Sequence, residues 1–310
     1  MNITKLSPPL SEKEIINNWI YSDITYVSII CCTYNQEKYI SEAIDSFLAQ
    51  KTEYKFEIII HDDCSTDKTN DILISFKKRY PNIIKIIRSK ENLYSKHGVN
   101  APGLNAISYS SGKYIAFCEG DDYWIDENKI QKQVLALEKN KDIKICFTAA
   151  VKSSKNDNSI IAFHNKKAKI FSVENVIING GAFMPTASIL INKDVFNNIP
   201  NWFKSAHVGD YYLQIFGSIG NGALYLPIVS SVYRKLSIGS WSESNLSHDR
   251  IISHREKSNN MYKLLLKEYP KYKKSVFISF IRSNLISILV SIKHLDFKLF
   301  LSLMKYYIKL

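Results

Sequence analysis

The stretch YIAFCEGDDYW, residues 114–124, places two adjacent carboxylates directly after an apolar run. The run predicts a buried strand, so Asp121 and Asp122 are expected just beyond its carboxyl end, beside a glycine that lets backbone or ligand approach closely. Crowded carboxylates are unfavourable unless a cation lies between them. Mg²⁺ or Mn²⁺ is typically held by one or two carboxylates together with substrate phosphate oxygens. The pair is therefore a candidate metal site; the alternative is an Asp-rich turn that caps the helix starting near Lys129.

Apolar runs and helical spacing alternate from residue 27 to about residue 151. The runs predict strands at 27–32, 56–60, 83–87, 114–118 and 145–149, and the helical spacing predicts helices near 40–48, 72–80, 104–109 and 130–137. Strands that are apolar throughout and alternate with helices are typical of a parallel sheet covered on both faces. The predicted class is therefore α/β, and ligands of such sheets bind at the carboxyl ends of the strands.

The rest of the chain divides into a polar segment, a second patterned region and a helical end. Residues 152–182 are lysine-rich and predict a less regular segment that either connects the two halves or faces the acceptor, whereas apolar patterning returns at 187–191, 211–219 and 224–232. From residue 251 the pattern predicts helices to the end, with a break near Pro270. We therefore expect an N-terminal extension over 1–25, a main domain over 26–245 with halves at 26–150 and 151–245, and a helical C-terminal region over 246–310.

The composition is that of a globular protein whose basicity lies at one end. Hydrophobic residues make up 45% of the chain, and the net charge is +12. Residues 251–310 carry twelve Lys or Arg against three acidic residues, so most of that charge lies in the C-terminal region. The five cysteines show no spaced pairs and are expected to be reduced, as in a cytosolic protein. Neither an export signal nor a stretch of 18 apolar residues is present, so no membrane span is predicted.

Polar side chains also follow the first two predicted strands. Thr33, Tyr34 and Asn35 follow the first strand, and Asp62 and Asp63 follow the second. Carboxylates in this position can accept hydrogen bonds from a nucleobase imide or a ribose hydroxyl. The polar residues just after them, at 65–69, are equally suited to capping the next helix.

Together these segments resemble family 2 of the glycosyltransferases, a large inverting family with the GT-A fold. The resemblance lies in VSIICCTYNQEKYISEAIDSFLAQ (27–50), EIIIHDDCSTDKT (57–69) and GKYIAFCEGDDYW (112–124), three segments in the family's order. It covers roughly residues 26–150. It implies a GT-A sheet, mostly parallel and flanked by helices, to which this chain adds a C-terminal helical extension.

The resemblance also implies roles for the loop residues. Asp63, supported by Asp62, would contact the base of a uridine-type nucleotide, and the loop at 33–35 would line the base pocket. Asp121 would approach the ribose and the metal, and Asp122 would ligate the Mn²⁺ or Mg²⁺ that bridges the diphosphate.

Two segments of the second half are similar to the family less completely. HVGDYYLQIFGSIGNGALYLP (207–227) resembles the segment where the family places its catalytic carboxylate at a helix start, which makes Asp210 the candidate base. Relatives often have Glu-Asp where this chain has Gly209 and Asp210, and the alternative for Asp210 is a plain helix cap.

VYRKLSIGSWS (232–242) resembles the later loop that closes over the nucleotide. Relatives often have a histidine after Tyr-Arg, whereas this chain has Lys235 and Leu236, so a histidine metal ligand is not expected here. Arg234 and Lys235 would instead neutralise the departing diphosphate, and Trp241 would flank the sugar. The alternative for Arg234 is a plain surface cation.

The expected function is metal-dependent, inverting transfer of a hexose or N-acetylhexosamine. The donor would be a nucleotide sugar, UDP-linked by family habit, and the acceptor a hydroxyl of a lipid-linked or oligosaccharide glycan in bacterial O-antigen or capsule synthesis. One alternative is a relative that binds the nucleotide sugar without turnover. Another is a sugar-nucleotide nucleotidyltransferase, which the absence of glycine from residues 33–37 disfavours. No nucleic-acid partner is expected, because the loops of the sheet domain are acidic.

The C-terminal region has apolar stretches at 276–286 and 297–310 that are interrupted by Lys, Arg or Ser. Arg282 and Asn284 lie in the middle of the first stretch and disfavour a membrane-spanning helix. Two interpretations stay open. The helices lie on an anionic membrane surface with their lysines facing the headgroups, or they cover the catalytic domain. The first interpretation places the protein in the cytoplasm, peripherally bound at the inner face of the plasma membrane.

Overall fold

Ten strands and ten helices are formed by the residues that the structure, a computed structural model, describes: 3–154, 158–235, 248–293 and 302. The strands are β1 Val27–Thr33, β2 Phe56–Asp62, β3 Ile84–Arg88, β4 Tyr114–Phe117, β5 Tyr123–Trp124, β6 Ile145–Ser153, β7 Asn158–Ile161, β8 Lys169–Phe171, β9 Leu190–Asn192 and β10 Ala223–Arg234. The helices are α1 Glu12–Ile16, α2 Ile40–Leu48, α3 Thr69–Arg79, α4 Leu93–His97, α5 Ala101–Ser108, α6 Lys129–Lys139, α7 Val173–Asn179, α8 Asp210–Ser218, α9 His248–Glu268 and α10 Lys273–Lys293.

All ten strands belong to one sheet, in the order β3-β2-β1-β4-β9-β6-β10-β5, with β7 added beside β6 and β8 beside β10. The pairs β1–β2, β1–β4, β2–β3 and β6–β10 are parallel. Because β9 is antiparallel to both β4 and β6, those two strands also share a direction. Six strands of the described sheet therefore point the same way, including every strand of five residues or more. The predicted α/β class with a mostly parallel sheet is confirmed.

Helices cover both faces of this sheet. Along β1, Ile29 and Cys31 face a core cluster built with α2, α3 and α6, whereas Ile30 faces a second cluster built with α5, α7 and α8. All three side chains are at most 2% exposed. Burial on both faces is the physical reason why the predicted strands are apolar throughout rather than alternating.

The polar segment at 152–182 is more regular than predicted. Strand β6 runs on to Ser153 and pairs antiparallel with β7, β8 pairs with β10, and α7 follows. Helix α7 begins with a capping box formed by Ser172 and Asn175. Its own residues Val173, Val176 and Ile177 are buried. These elements were not predicted, because they are too short for their periodicity to stand out against the lysines around them.

The N-terminal segment packs on the sheet domain. The carboxylate of Glu12, at the start of α1, accepts hydrogen bonds from the backbone N–H groups of Asn82 and Ile83 at 2.7 and 2.8 Å. These bonds tie α1 to the turn that enters β3. The domain boundaries at 25/26 and 150/151 stay predictions, and the one at 245/246 falls outside the described residues.

The C-terminal helices pack on the second core cluster. Tyr262 and Leu265 of α9 and Val276 and Phe280 of α10 are buried there, and a 3₁₀ turn at Pro270–Tyr272 makes the predicted break. Between the two helices, buried Arg255 donates to the hydroxyls of two α10 serines at 2.7 Å. No helix within the described ranges is long and apolar enough to cross a membrane.

Candidate active site

The loop between β4 and β5 carries three carboxylates, those of Glu119, Asp121 and Asp122. Its shape is set by close packing on the loop that follows β1. The backbone N–H of Gly120 donates to the carbonyl of Cys32 at 3.0 Å. A Cβ atom at position 120 would lie 2.3 Å from Oε1 of Gln36, so only glycine fits without displacing that side chain. The acidic loop is therefore held against the carboxyl end of β1, as predicted for a ligand site in such a sheet.

The carboxylates of this loop are crowded. Asp121 and Asp122 are 8% and 4% exposed. Burial first, then the charges of Asp121 and Glu119, raise the pKa of Asp122 well above its ordinary value, against the opposing effect of Arg234. The side chain of Glu119 is partly open to solvent. Desolvation by the surrounding protein, together with the charges of Asp121 and Asp210, raises the pKa of Glu119 as well. Desolvation and the neighbouring carboxylates therefore disfavour the charged forms of Asp122 and Glu119.

This donor set fits a hard divalent cation. Carboxylate oxygens are the ligands that Mg²⁺ and Mn²⁺ prefer, and a cation between them would relieve the crowding. Among the described residues no group of three or more His, Cys, Asp or Glu side chains is arranged to hold a metal ion. A pair of carboxylates such as Asp121 and Asp122 suits a cation that takes its other ligands from a diphosphate and from water.

Arg234, at the end of β10, clamps the acidic loop in place. Its backbone N–H donates to Oδ1 of Asp122 at 2.8 Å. Its guanidinium donates to the carbonyl of Asp121 and forms an ion pair with Glu42. The same group lies 4.4 Å from the ring centroid of Tyr123. Arg234 is thus a half-buried bridge between β10, α2 and the acidic loop, and it is not a plain surface cation.

The other predicted residues of this region differ in how they are placed. Lys235 is exposed next to Arg234, and its backbone N–H donates to the carbonyl of Ser153 at 2.8 Å. Trp241 lies outside the described residues, so its place beside the sugar stays a prediction.

Asn35 joins the first two predicted loops. Its backbone takes a left-handed conformation with φ of 52°, which asparagine tolerates better than most residues. Its Oδ1 accepts from the backbone N–H of Thr66 at 2.8 Å, and its own N–H donates to Oγ of Ser65 at 2.9 Å. The polar run at 65–69 therefore leads into α3 and is also hydrogen bonded to the loop that follows β1. Tyr34 and Asn35 are exposed, whereas Thr33 is buried and donates to Gln36 at 2.8 Å.

Asp62 and Asp63 lie at the predicted edge of the sheet, but protein groups already contact both carboxylates. Asp62 is fully buried, with Oδ1 accepting from the N–H of Ser65 at 3.0 Å. The two oxygens of Asp63 accept from the N–H groups of Leu93 and Tyr94 at 2.7 and 2.9 Å, at the start of α4. Their contact with a nucleotide stays a prediction. What the structure adds is that both also set the conformation of the loops around the pocket.

Asp210 is the first residue of α8 and lies near the acidic loop. Its Oδ1 accepts from the backbone N–H of Tyr211 at 2.7 Å, so it does serve the helix start. Burial raises the pKa of Asp210, and the backbone hydrogen bonds oppose the rise. Its charge is also one of the causes that raise the pKa of Glu119, so the two carboxylates lie within electrostatic reach. The fold thus brings together Asp210 and the acidic loop, which are 88 residues apart at their closest in the sequence.

Asn100 is a site residue that the sequence did not reveal. It is buried, and its Nδ2 donates to the carbonyls of Phe203 and Ala206 at 2.8 and 3.1 Å, fixing the segment that leads into α8. A Cβ atom on Gly209 would lie only 2.2 Å from Oδ1 of Asn100. This contact explains why glycine precedes Asp210 here. No pattern near residue 100 signals it, because its partners lie more than 100 residues further along the chain.

We expect Asn100→Ala to lower kcat while leaving donor affinity unchanged, because it frees the segment before Asp210 without touching the nucleotide loops. Loss of the two hydrogen bonds leaves buried carbonyls unsatisfied, at about 1–3 kcal/mol of folding stability. Gly209→Ala should also destabilise the parent, but less so in the Asn100→Ala background, where the 2.2 Å clash is gone. Unfolding free energies of the four proteins, with kcat and donor Kd, test this. Additive effects of the two substitutions would contradict the proposed contact.

The comparisons with known proteins agree with this geometry. A family model described as glycosyl transferase family 2 matches residues 28–199, more than half of the chain. The chain belongs to glycosyltransferase family 2. The family predicted from the three sequence segments is thereby confirmed.

Two relatives illustrate the range of this family 2 match. An uncharacterised protein of Mycobacterium tuberculosis is 33% identical over 219 residues, 69% of this chain and 60% of that protein. The chain therefore spans about 60% of the length of this mycobacterial relative. The Escherichia coli UDP-Glc:alpha-D-GlcNAc-diphosphoundecaprenol beta-1,3-glucosyltransferase WfgD is 33% identical over 189 residues, 61% of this chain and 68% of that enzyme.

Solved structures of glycosyltransferases share the fold. Residues 1–349 of TarS from S. aureus, in complex with UDP-GlcNAc, superpose with a TM-score of 0.59 at 16% identity, covering 91% of each chain. The mannosyltransferase PcManGT from Pyrobaculum calidifontis, in complex with GDP-Man and Mn²⁺, gives a TM-score of 0.59 at 13% identity, covering 95% of this chain and 80% of that one. The family 2 chain thus has the predicted GT-A fold with C-terminal helices.

Proposed function

We propose that this protein is a metal-dependent, inverting glycosyltransferase that moves a hexose or N-acetylhexosamine from a UDP-sugar to a hydroxyl of a lipid-linked or oligosaccharide acceptor. The observation that carries the proposal is the crowding of three carboxylates on the acidic loop, within electrostatic reach of a further, half-buried carboxylate, Asp210. A cation carrying a diphosphate would balance the carboxylates of the acidic loop, and an acceptor hydroxyl would give its proton to Asp210. The donor and acceptor named for the E. coli relative, and the UDP-GlcNAc bound to TarS, support these substrate classes.

The first half of the chemistry is departure of the nucleoside diphosphate. Asp122 and Asp121 would hold Mn²⁺ or Mg²⁺, which supplies stabilisation of the charge that develops on the leaving group. The backbone N–H of Arg234 orients the carboxylate of Asp122 from the side of β10. Since the guanidinium of Arg234 is engaged by Glu42, we assign it to positioning the loop and assign charge neutralisation to exposed Lys235.

The second half is activation of the acceptor. Oδ1 of Asp210 is bonded to the N–H of Tyr211, so Oδ2 is the oxygen that takes the proton from the attacking hydroxyl. A positioned carboxylate base contributes roughly 10²–10⁴-fold to the rate. Attack opposite the leaving diphosphate inverts the anomeric centre and gives a β-linkage from an α-linked donor.

The cellular role belongs to the same proposal. A lipid-linked acceptor fits an enzyme of bacterial O-antigen or capsule synthesis that works in the cytoplasm, peripherally at the inner face of the plasma membrane. The basic C-terminal region, facing anionic lipid, supports this location. The acidic loops at the sheet edge support a nucleotide sugar rather than a nucleic acid as the partner.

A thermal-shift screen tests the donor and the metal together. A ligand that binds only the native state stabilises it by about 2.7 kcal/mol at 100 times its Kd. We expect UDP-hexoses or UDP-N-acetylhexosamines to raise Tm in the presence of Mn²⁺ and to do so much less in EDTA. GDP-mannose is the matched comparison, since a structural neighbour binds it.

Absence of a shift with every nucleotide sugar would overturn the proposal. A shift without release of UDP in the presence of an acceptor would identify a protein that binds the donor but does not turn it over.

A further inference from the structure

Helix α10 has one face packed on the catalytic unit. Buried side chains recur along it at every fourth residue: Val276, Phe280, Asn284 and Ile288. On the same side, Oγ of Ser279 is hydrogen bonded to the hydroxyls of Tyr211 and Tyr262, both at 3.1 Å. Tyr211 follows Asp210 directly at the start of α8. The inner face of α10 is therefore separated from the candidate base by a single tyrosine side chain.

The opposite face of α10 is apolar, and no described residue covers it. Six large apolar side chains there are each between 41% and 62% exposed: Phe277, Ile278, Leu285, Ile286, Leu289 and Ile292. Ile278, Leu285, Leu289 and Ile292 lie on one side of the helix, away from the buried row, and Phe277 and Ile286 lie at the two edges of this side. A contiguous exposed apolar stripe of this kind is rare on the surface of a monomer and marks a contact surface. We call these six residues the outer face.

The charge of α10 decides what covers the outer face. The helix contains four cationic residues, Lys273, Lys274, Arg282 and Lys293, and no acidic residue. Lys273, Lys274 and Arg282 are exposed near the outer face. An isologous contact between two copies would bring these cations together, which is unfavourable. An anionic bilayer instead offers an apolar interior to the outer face and negative headgroups to its cations.

We propose that α10 lies in the surface of an anionic lipid bilayer with its outer face inserted, and that its inner face thereby holds the start of α8 next to the membrane. This inference rests on the proposed function in one respect, namely that docking would bring a lipid-linked acceptor to Asp210. No spanning helix is required, since the outer face needs to reach only the boundary between headgroups and acyl chains.

The test is binding of the full chain to vesicles, with substitutions that spare the packed face. Deleting the helix would remove Val276 and Phe280 from the core, so we choose Ile278→Gln/Leu285→Gln/Leu289→Gln, which changes exposed positions only. The matched control is Ile74→Gln/Leu135→Gln/Ile160→Gln, three equally exposed apolar residues on other elements. Flotation is measured with vesicles of phosphatidylcholine plus phosphatidylglycerol and with vesicles of phosphatidylcholine alone.

We expect the parent and the control variant to float with the anionic vesicles and to bind more weakly as salt rises. The α10 variant should bind about 100-fold more weakly, since three apolar side chains no longer enter the bilayer. Its affinity for UDP-sugar and Mn²⁺ should equal that of the parent, which separates this outcome from failure of the proposed function.

Equal vesicle binding by the α10 variant and the control variant would overturn the proposal. So would a parent that ignores anionic vesicles. If the parent forms a dimer that only the α10 substitutions dissociate, the outer face is covered by a second copy of the chain instead.

Discussion

Asp122→Asn is expected to abolish metal-dependent transfer and, in the same protein, to raise the thermal stability of the metal-free fold. Asparagine keeps the oxygen that accepts the N–H of Arg234 at 2.8 Å, so the loop retains its shape. It removes one charge from a crowded, buried group. The charge stabilisation supplied by a bound cation is worth several kcal/mol, so transfer should fall by about 10³-fold or more.

The stability gain follows from the direction of the pKa shift. A carboxyl whose pKa is raised in the folded state destabilises the fold at every pH above its unfolded-state pKa, and this penalty disappears below that value. Burial and the neighbouring carboxylates raise the pKa of Asp122, so the penalty is present at neutral pH. Removing it should raise Tm in EDTA by roughly 2–4 °C for each kcal/mol relieved. The gain should vanish in acid, where the parent carboxyl is protonated.

Calorimetric scans with EDTA and with Mn²⁺, at neutral and acidic pH, measure both effects. Asp126→Asn is the matched control. Asp126 lies only four residues after Asp122, but its carboxylate is paired with Lys132 at 2.8 Å. It should gain no stability in EDTA. An Asp122→Asn protein that still binds UDP more tightly with Mn²⁺ than without it would disprove the metal assignment.

Asp210→Asn is expected to lower kcat by about 10²-fold or more while leaving the affinities for UDP-sugar and Mn²⁺ nearly unchanged. Asparagine can still accept from the N–H of Tyr211, so the start of α8 is preserved. What is lost is the oxygen that takes the acceptor proton. Slow hydrolysis of the donor should survive, because water is a smaller and less demanding acceptor.

The measurements are donor affinity by calorimetry and transfer rate to an acceptor in a single turnover. Because burial raises the pKa of Asp210, the parent rate should begin to fall on acidification at a higher pH than an exposed aspartate would give. The variant should lack this acidic limb.

Lost donor binding would instead make Asp210 a ligand-binding residue, and unchanged transfer would make it a helix cap. Glu119, within electrostatic reach of Asp210, would then be the first carboxylate to examine as the base. Exposed Asp194 would follow, whereas Glu243 lies outside the described residues.

The first half of the fold, residues 26–150, was predictable because its strands are buried on both faces. Such strands must be apolar throughout, so β1 and β2 stand out in the sequence without knowledge of their partners. Strand β9 does not, since three residues carry no usable periodicity and its antiparallel place between β4 and β6 is set by contacts more than 40 residues away. Short elements defined by distant partners are the ones that the pattern misses.

The placement of the candidate site residues was predictable where a motif is local, and it was unpredictable where residues distant in the sequence come together. The pair Asp121 and Asp122 directly follows one predicted strand, so the local sequence is enough to place it. The contact of Arg234 with the acidic loop and that of Asn100 with the segment before α8 join residues more than 100 positions apart, so no single stretch of sequence displays them. The reason for Gly209 is likewise visible only once Asn100 is seen beside it.

The Arg234 clamp has a consequence for the order of folding. It joins β10 to α2 through an ion pair that spans 192 residues, and to the acidic loop across 113 residues. Contacts of such sequence separation form only after long loops have closed, and loop closure is slow. The first half of the chain can collapse around its own strands before β10 arrives. The acidic loop then acquires its final geometry among the last events of folding, so an immature chain does not yet hold Asp121 and Asp122 in their final positions.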